Sequence, residues 1–176
     1  MEENINTVTH NWLKEEIKKD WICVDATMGR GNDTYFLAKR CQKVIAFDIQ
    51  QEALNATQKR CDGFNNIQLH LLSHDKMEEV IKEKVDCILF NLGYLPHFDP
   101  SVITKPKTTS NALIASWNLL KKNGILIIVS YIGHPGGQEE HEAVKQFVNT
   151  HSRCIKTYTY QTKENAPIAY YLKKES

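Results

Sequence analysis

The chain has 176 residues, 41% of them hydrophobic and 24% charged, with a formal net charge of +1. That length suits one domain, residues 1–176, with a substantial core. The near-neutral balance excludes a global field for nucleic acid but leaves room for a local basic patch. No apolar run approaches the ~20 residues that span a bilayer, so no membrane is expected.

Five widely spaced cysteines without a CxxC pair (Cys23, Cys41, Cys61, Cys87, Cys154) favour buried, reduced thiols over disulfides or zinc, and no metal is expected. The acidic, polar start carries no signal-peptide pattern, and the expected location is the cytoplasm.

Val8, Trp12, Leu13 and Ile17 lie near helical spacing, predicting an amphipathic helix from about Asn6 to Lys19. Trp21 to Asp25 reads as a first strand. Gly29 and Gly31 then make a turn, and a helix follows to about Arg40. Lys43 to Asp48 is a second strand, Gln50 to Arg60 a helix, Ile67 to Leu72 a third strand. A short charged helix reaches Lys82 before a fourth strand, Val85 to Asn91. From Leu92 to Pro106 three prolines interrupt regular structure, and a loop of that length is usually functional.

A helix resumes near Thr108 and is stopped by Asn123-Gly124. Ile125 to Tyr131 is the most apolar strand, followed by the glycine-rich turn Gly133 to Gly137 and a helix from Gln138 to Asn149. Cys154 to Tyr160 and Ala166 to Leu172, joined by a short polar connection, read as a closing hairpin. Strands alternating with helices predict an α/β fold: a doubly wound, mostly parallel, seven-stranded Rossmann-like sheet ending in an antiparallel hairpin.

In such sheets the ligand lies beyond the carboxyl ends of the strands. The first strand feeds Asp25, Thr27, Gly29, Gly31, Asn32 and Asp33 to that end, where strand, glycine turn and helix bring backbone N–H groups up to a nucleotide-like ligand. Two carboxylates there would repel a phosphate and welcome a positive centre. The expected cofactor is therefore an adenosine bearing cationic groups, S-adenosylmethionine. Asp48 stands where an acid accepts both ribose hydroxyls, and Gln50, Ser73 and His74 are expected along the adenosine.

The turn lacks the last glycine of GxGxxG, because Thr34 stands there, and no GK[ST] follows for a P-loop. Against the acid-x-Gly-x-Gly-x-Gly of methyltransferases, Thr27 replaces the first glycine. Asn91-Leu92-Gly93-Tyr94 falls where amino-methyltransferases carry [ND]PP[YF], matching at Asn91 and Tyr94.

Together, Asp25-Ala26-Thr27 with Gly29 to Thr34, Phe90 to Pro96, Thr104 to Thr109, and Gly133 to Gly137 followed by Glu139-Glu140 resemble the YtqB/MnmM family, also described as rRNA methylases. The resemblance spans nearly the whole chain and implies a class I methyltransferase. The implied reaction moves a methyl group from S-adenosylmethionine to the amine of 5-aminomethyl-(2-thio)uridine at wobble position 34 of tRNA. It also implies cofactor roles for Asn32, Asp33, Asp48, Gln50, Ser73 and His74.

On this reading Asn91 and Tyr94 hold the acceptor amine, and His134, in its glycine turn, takes the proton, ahead of His97 and Asp99. His97, Lys105 and Tyr131 meet the tRNA anticodon stem-loop, with Phe98 as a further stacking ring and Lys107, Lys121 and Lys122 as further cations. A homodimer is left open. The competing readings are another N-methyltransferase (rRNA, small molecule or protein), an NAD-dependent oxidoreductase, and a non-catalytic RNA-binding module.

Overall fold

The computed structural model describes residues 1–93, 105–151 and 154–175. The chain runs α1 (Ile5–Lys14), β1 (Ile22–Asp25), α2 (Asn32–Ala38), β2 (Lys43–Asp48), α3 (Gln51–Arg60) and β3 (Ile67–Leu71). A 3-10 turn (His74–Lys76) and α4 (Met77–Val80) lead to β4 (Val85–Leu92). Then follow α5 (Pro106–Leu119), β5 (Leu120–Ser130), α6 (Gly137–His151), β6 (Cys154–Thr159) and β7 (Ile168–Lys173).

All seven strands form one sheet in the order β3-β2-β1-β4-β5-β7-β6. Only β7 runs against the others: it pairs antiparallel with both β5 and β6, so it is threaded between them. Strand residues alternate between two cores, as a period-two pleat requires. Val24, Ile45, Phe47, Ile88, Phe90, Leu126 and Ile128 face α4, α5 and α6. Cys23, Val44, Cys87, Leu89, Ile125, Ile127 and Tyr171 face α1 and α2. Cys23, Cys41, Cys61 and Cys87 are buried free thiols.

One boundary departs from the sequence reading. The helix expected to run to Asn123 stops at Leu119, and β5 begins at Leu120. Leu120 pairs with Val85 at the root of β4, and Asn123 takes a left-handed φ of 65° while its N–H donates to the carbonyl of Lys174. Sheet partners on both sides override the local helical pattern. The same shift places Lys121 beside Asp86, its Nζ 3.1 Å from the carboxylate. Lys121 and Lys122 therefore sit at the amino ends of the strands, away from the face where RNA contacts were expected.

β1 and β4 are neighbours, yet the chain leaves β1 toward β2 and leaves β4 toward β5. That divergence opens a crevice at the carboxyl ends of β1 and β4, the place where open α/β sheets bind ligands.

Candidate active site

The glycine turn between β1 and α2 is pinned from three sides. Its Ala26 and Met28 N–H groups donate to the carbonyls of Leu89 and Phe47, on β4 and β2. From α3, the Thr57 hydroxyl donates to the Gly29 carbonyl at 3.0 Å and the Arg60 Nε to the Arg30 carbonyl at 2.9 Å. Gly31 holds a φ of +84°, and a Cβ there would lie 2.9 Å from the Thr57 Cα. Only glycine lets α3 approach this closely in that conformation.

Asp25 is fully buried. Its carboxylate accepts from the Thr34 hydroxyl at 2.6 Å and the Thr27 N–H at 3.2 Å. The acid expected to contact a cofactor instead stands behind the turn and fixes its shape. Burial, and then the neighbouring Asp33 charge, push its carboxyl up to about 8. Thr27, the residue in place of the usual glycine, uses its hydroxyl as an acceptor for the Asn91 N–H at 2.7 Å and so ties the turn to the tip of β4.

Asp33, 7% exposed in the first turn of α2, is held by two side chains from elsewhere in the chain. His10 of α1 reaches its Oδ1 at 2.6 Å, and Asn91 Nδ2 reaches its Oδ2 at 2.6 Å. A carboxylate only accepts, so the groups facing it are donors: the Nε2–H of His10 and the amide nitrogen of Asn91. The carboxamide oxygen of Asn91 is thereby turned the other way, buried and without a hydrogen-bond partner. A buried acceptor left unmade costs about 1–3 kcal/mol, which a ligand N–H would recover.

The remaining expected residues divide as follows. Asp48 is half-buried, its oxygens accepting from Gly29 N–H at 3.1 Å and Gln50 N–H at 3.0 Å. Gln50 and Ser73 are half-buried and Asn32 exposed, all at the same end of the sheet. His74 lies at the same end, deeper than the others. It is buried beneath the turn, its Nδ1–H donating to the Ala26 carbonyl at 3.1 Å and its ring beside Phe90.

Tyr131 and His134 come together around Gly93, where a Cβ would lie 3.3 Å from Tyr131 Cβ and 3.5 Å from His134 Nε2. Lys105 and Lys107 are exposed at the start of α5, on the crevice end. Tyr94, His97, Phe98 and Asp99 lie outside the described residues. Among the described residues no group of three or more His, Cys, Asp or Glu is placed to hold a metal, and no helix is long and apolar enough to cross a membrane.

Sequence reasoning missed His10. In Val8-Thr9-His10-Asn11 it reads as one more polar residue on an amphipathic helix. Only packing brings it to Asp33 and stacks its ring on Phe36, centroids 3.9 Å apart.

The family model described as "Putative rRNA methylase" matches residues 44–173. The chain belongs to this rRNA methylase family. A curated relative, the chloroplastic tRNA (mnm(5)s(2)U34)-methyltransferase of Arabidopsis thaliana, is 39% identical over 156 residues, 80% of this chain. The chain spans 57% of that relative's length. A Streptococcus mutans structure solved in complex with SAH is 34% identical, covers 99% of each chain and superposes with a TM-score of 0.87. An rRNA methylase structure from Streptococcus thermophilus is 31% identical, with a TM-score of 0.83 over 100% of this chain and 99% of its own.

The fold is thus the class I methyltransferase fold. In this member of the rRNA methylase family, the described residues at the carboxyl ends of β1, β2 and β4 include three acceptors: the Asp33 and Asp48 carboxylates and the buried Asn91 side-chain oxygen.

The raised Asp25 carboxyl has a stability consequence. Its folded-state pKa, about 8, lies above the unfolded value near 3.8, so between those pH values the folded chain binds the extra proton. The Asp25 contribution therefore falls as pH rises through that window. His74 and His141, lowered by burial from 6.5, pull the opposite way below about pH 6.5. Between pH 6.5 and 8, the ligand-free protein is expected to melt at progressively lower temperature. Asp25→Asn should flatten that slope in thermal scans; an unchanged slope would assign it elsewhere.

Proposed function

We propose that this chain transfers the methyl group of S-adenosylmethionine to the primary amine of 5-aminomethyl-(2-thio)uridine at the wobble position of tRNA. The observation that carries the reading is the buried, unpartnered Asn91 oxygen at the crevice, an acceptor in want of an N–H. Support for methyl transfer comes from the family and from the SAH-bound Streptococcus mutans relative. Support for the wobble uridine comes from the Arabidopsis relative, a tRNA (mnm(5)s(2)U34)-methyltransferase.

S-adenosylmethionine supplies an electrophilic methyl when bound. Asp48 would accept from its ribose hydroxyls. Gly29, Gly31 and Asn32 would offer backbone along it, and Asp33 would face its positive end. Gln50 and Ser73 would flank the adenosine, with Asp25, Thr27 and His74 shaping the turn from behind.

Methyl transfer is an in-line displacement, so holding the amine in place should supply most of the acceleration. An alkylammonium must first lose a proton, and a desolvated site lowers its pKa. Asn91 Oδ1 would then accept one N–H and aim the lone pair. Tyr94 would pack against the base. His134, half-buried beside Gly93, would take the proton. Tyr131 and His97 would contact the splayed nucleotide, and Lys105 a phosphate of the anticodon stem-loop.

The test is to incubate the protein with S-adenosylmethionine and tRNA lacking wobble methylation, digest, and weigh the nucleosides. One methyl added to aminomethyl-uridine is the expected result. Transfer to rRNA fragments, or to no RNA, would overturn the substrate assignment.

A further inference from the structure

His10 lies on α1, far in sequence from every residue assigned to the chemistry. It nonetheless ends a continuous chain of short hydrogen bonds: His10 Nε2 to Asp33 Oδ1 at 2.6 Å, and Asp33 Oδ2 to Asn91 Nδ2 at 2.6 Å. The far end of that chain is the buried, unpartnered Asn91 oxygen.

An isolated carboxamide can flip, exchanging oxygen and NH2 at little cost. Asp33 removes that freedom, because only the NH2 face can meet a carboxylate. Asp33 must in turn keep its own orientation, with one oxygen on Asn91 and the other on His10. His10 is what holds it. The ring is fixed on its other side by stacking on Phe36, centroids 3.9 Å apart and planes 14° from parallel, while Arg40 covers the Phe36 ring at 4.1 Å. α1 itself is anchored by the Ile5 N–H, which donates to the Tyr160 hydroxyl at 2.9 Å. The imidazole is therefore a rigid donor delivered by a docked helix.

We infer that His10 is a positioning residue for methyl transfer, acting through Asp33 to lock the Asn91 carboxamide with its oxygen toward the acceptor amine. The inference rests on the methyl-transfer reading above for its effect on turnover, but the His10–Asp33–Asn91 linkage is measurable without any substrate.

Two substitutions separate positioning from packing. His10→Phe keeps an aromatic ring for Phe36 and removes the donor. His10→Gln places an amide N–H near the Nε2 position and restores it. For His10→Phe, kcat on tRNA is expected to fall about 10- to 100-fold, the scale of a misplaced catalytic group. The tRNA KM should stay close to wild type, and S-adenosylmethionine affinity, by calorimetry, should fall by much less than kcat. His10→Gln should recover most of kcat.

The substrate-free readout is the side-chain NH2 signal of Asn91 in 15N-correlated NMR spectra, assigned by its loss in Asn91→Ala. In the wild type one of its protons should be shifted downfield and slow to exchange. In His10→Phe the pair should collapse toward the ordinary exposed-amide position, and in His10→Gln it should return. Full kcat in His10→Phe, failure of His10→Gln to restore what His10→Phe loses, or a freely rotating Asn91 amide in the wild type would each overturn the inference. If wild type methylates no tRNA, the substrate reading fails, and the amide signal alone decides the linkage.

Discussion

Replacing Asn91 with Ala is expected to lower single-turnover methyl transfer by about 100- to 1,000-fold, the range seen when one preorganised polar partner is removed from a reacting centre. The reason is double. The amine loses its acceptor, and Asp33, a nearly buried carboxylate, loses the donor on its Oδ2. An unmade bond to a buried charge costs about 1–3 kcal/mol or more, so a modest fall in melting temperature should accompany the kinetic loss.

Asn91→Asp sharpens the test. It keeps size and offers oxygen on both faces, but places a second carboxylate where an amide nitrogen now sits 2.6 Å from Asp33. Like charges at that separation repel, so this variant should be at least as impaired as Asn91→Ala and more strongly destabilised at pH 8 than at pH 6. Rapid-quench transfer to tRNA, alongside thermal unfolding, checks both. An Asn91→Ala enzyme with wild-type transfer would remove Asn91 from the mechanism.

The second large effect is on the cofactor turn. Gly31→Ala should destabilise the protein by about 2–4 kcal/mol: about 1–2 for a left-handed non-glycine residue, the rest from a Cβ pressed against the Thr57 backbone. The 2.9 Å approach to Thr57 Cα can be relieved only by moving α3, which also carries the hydroxyl bound to Gly29. S-adenosylmethionine affinity should fall with it.

Gly63→Ala is the internal control. Its φ is +91°, but nothing lies within 4 Å of where its Cβ would stand. It should show the backbone cost alone, about 1–2 kcal/mol. Urea unfolding of the two variants gives the comparison. Equal losses would mean that the α3 contact is compliant and that the turn does not depend on it.

Much of this molecule was legible in one dimension because its physics is periodic or local. Runs such as Val44-Ile45-Ala46-Phe47 and Ile125 to Val129 are buried on both faces, which is how parallel strands read. Positive-φ glycines at 29 and 31 marked the turn, and carboxyl-end residues such as Asp48 and Asn91 marked the crevice. The closing hairpin was visible as two β-rich runs with a polar connection.

What the sequence could not carry is contact between segments distant in the chain. Nothing in the order of residues says that β7 threads between β5 and β6, because that depends on which edge of β5 is left unpaired once β4 has taken the other. The helix end misplaced at Asn123 has the same origin: pairing with Val85 and Lys174, remote in sequence, outweighed propensity.

The site divides along the same line. Composition alone put acids, glycines and an asparagine at the strand ends. Only the packed structure decided that Asp25 and His74 bond to the turn from its buried side, that Thr27 ties it to β4, and that Lys121 sits at the amino ends of the strands. It also decided which way Asn91 points. That orientation depends on Asp33 Oδ2, and Asp33 depends on a histidine that α1 delivers from beside α2. Hydrogen bonds of this kind join residues with no sequence spacing to betray them, so the identity of the side chains was readable beforehand and their assignment to roles was not.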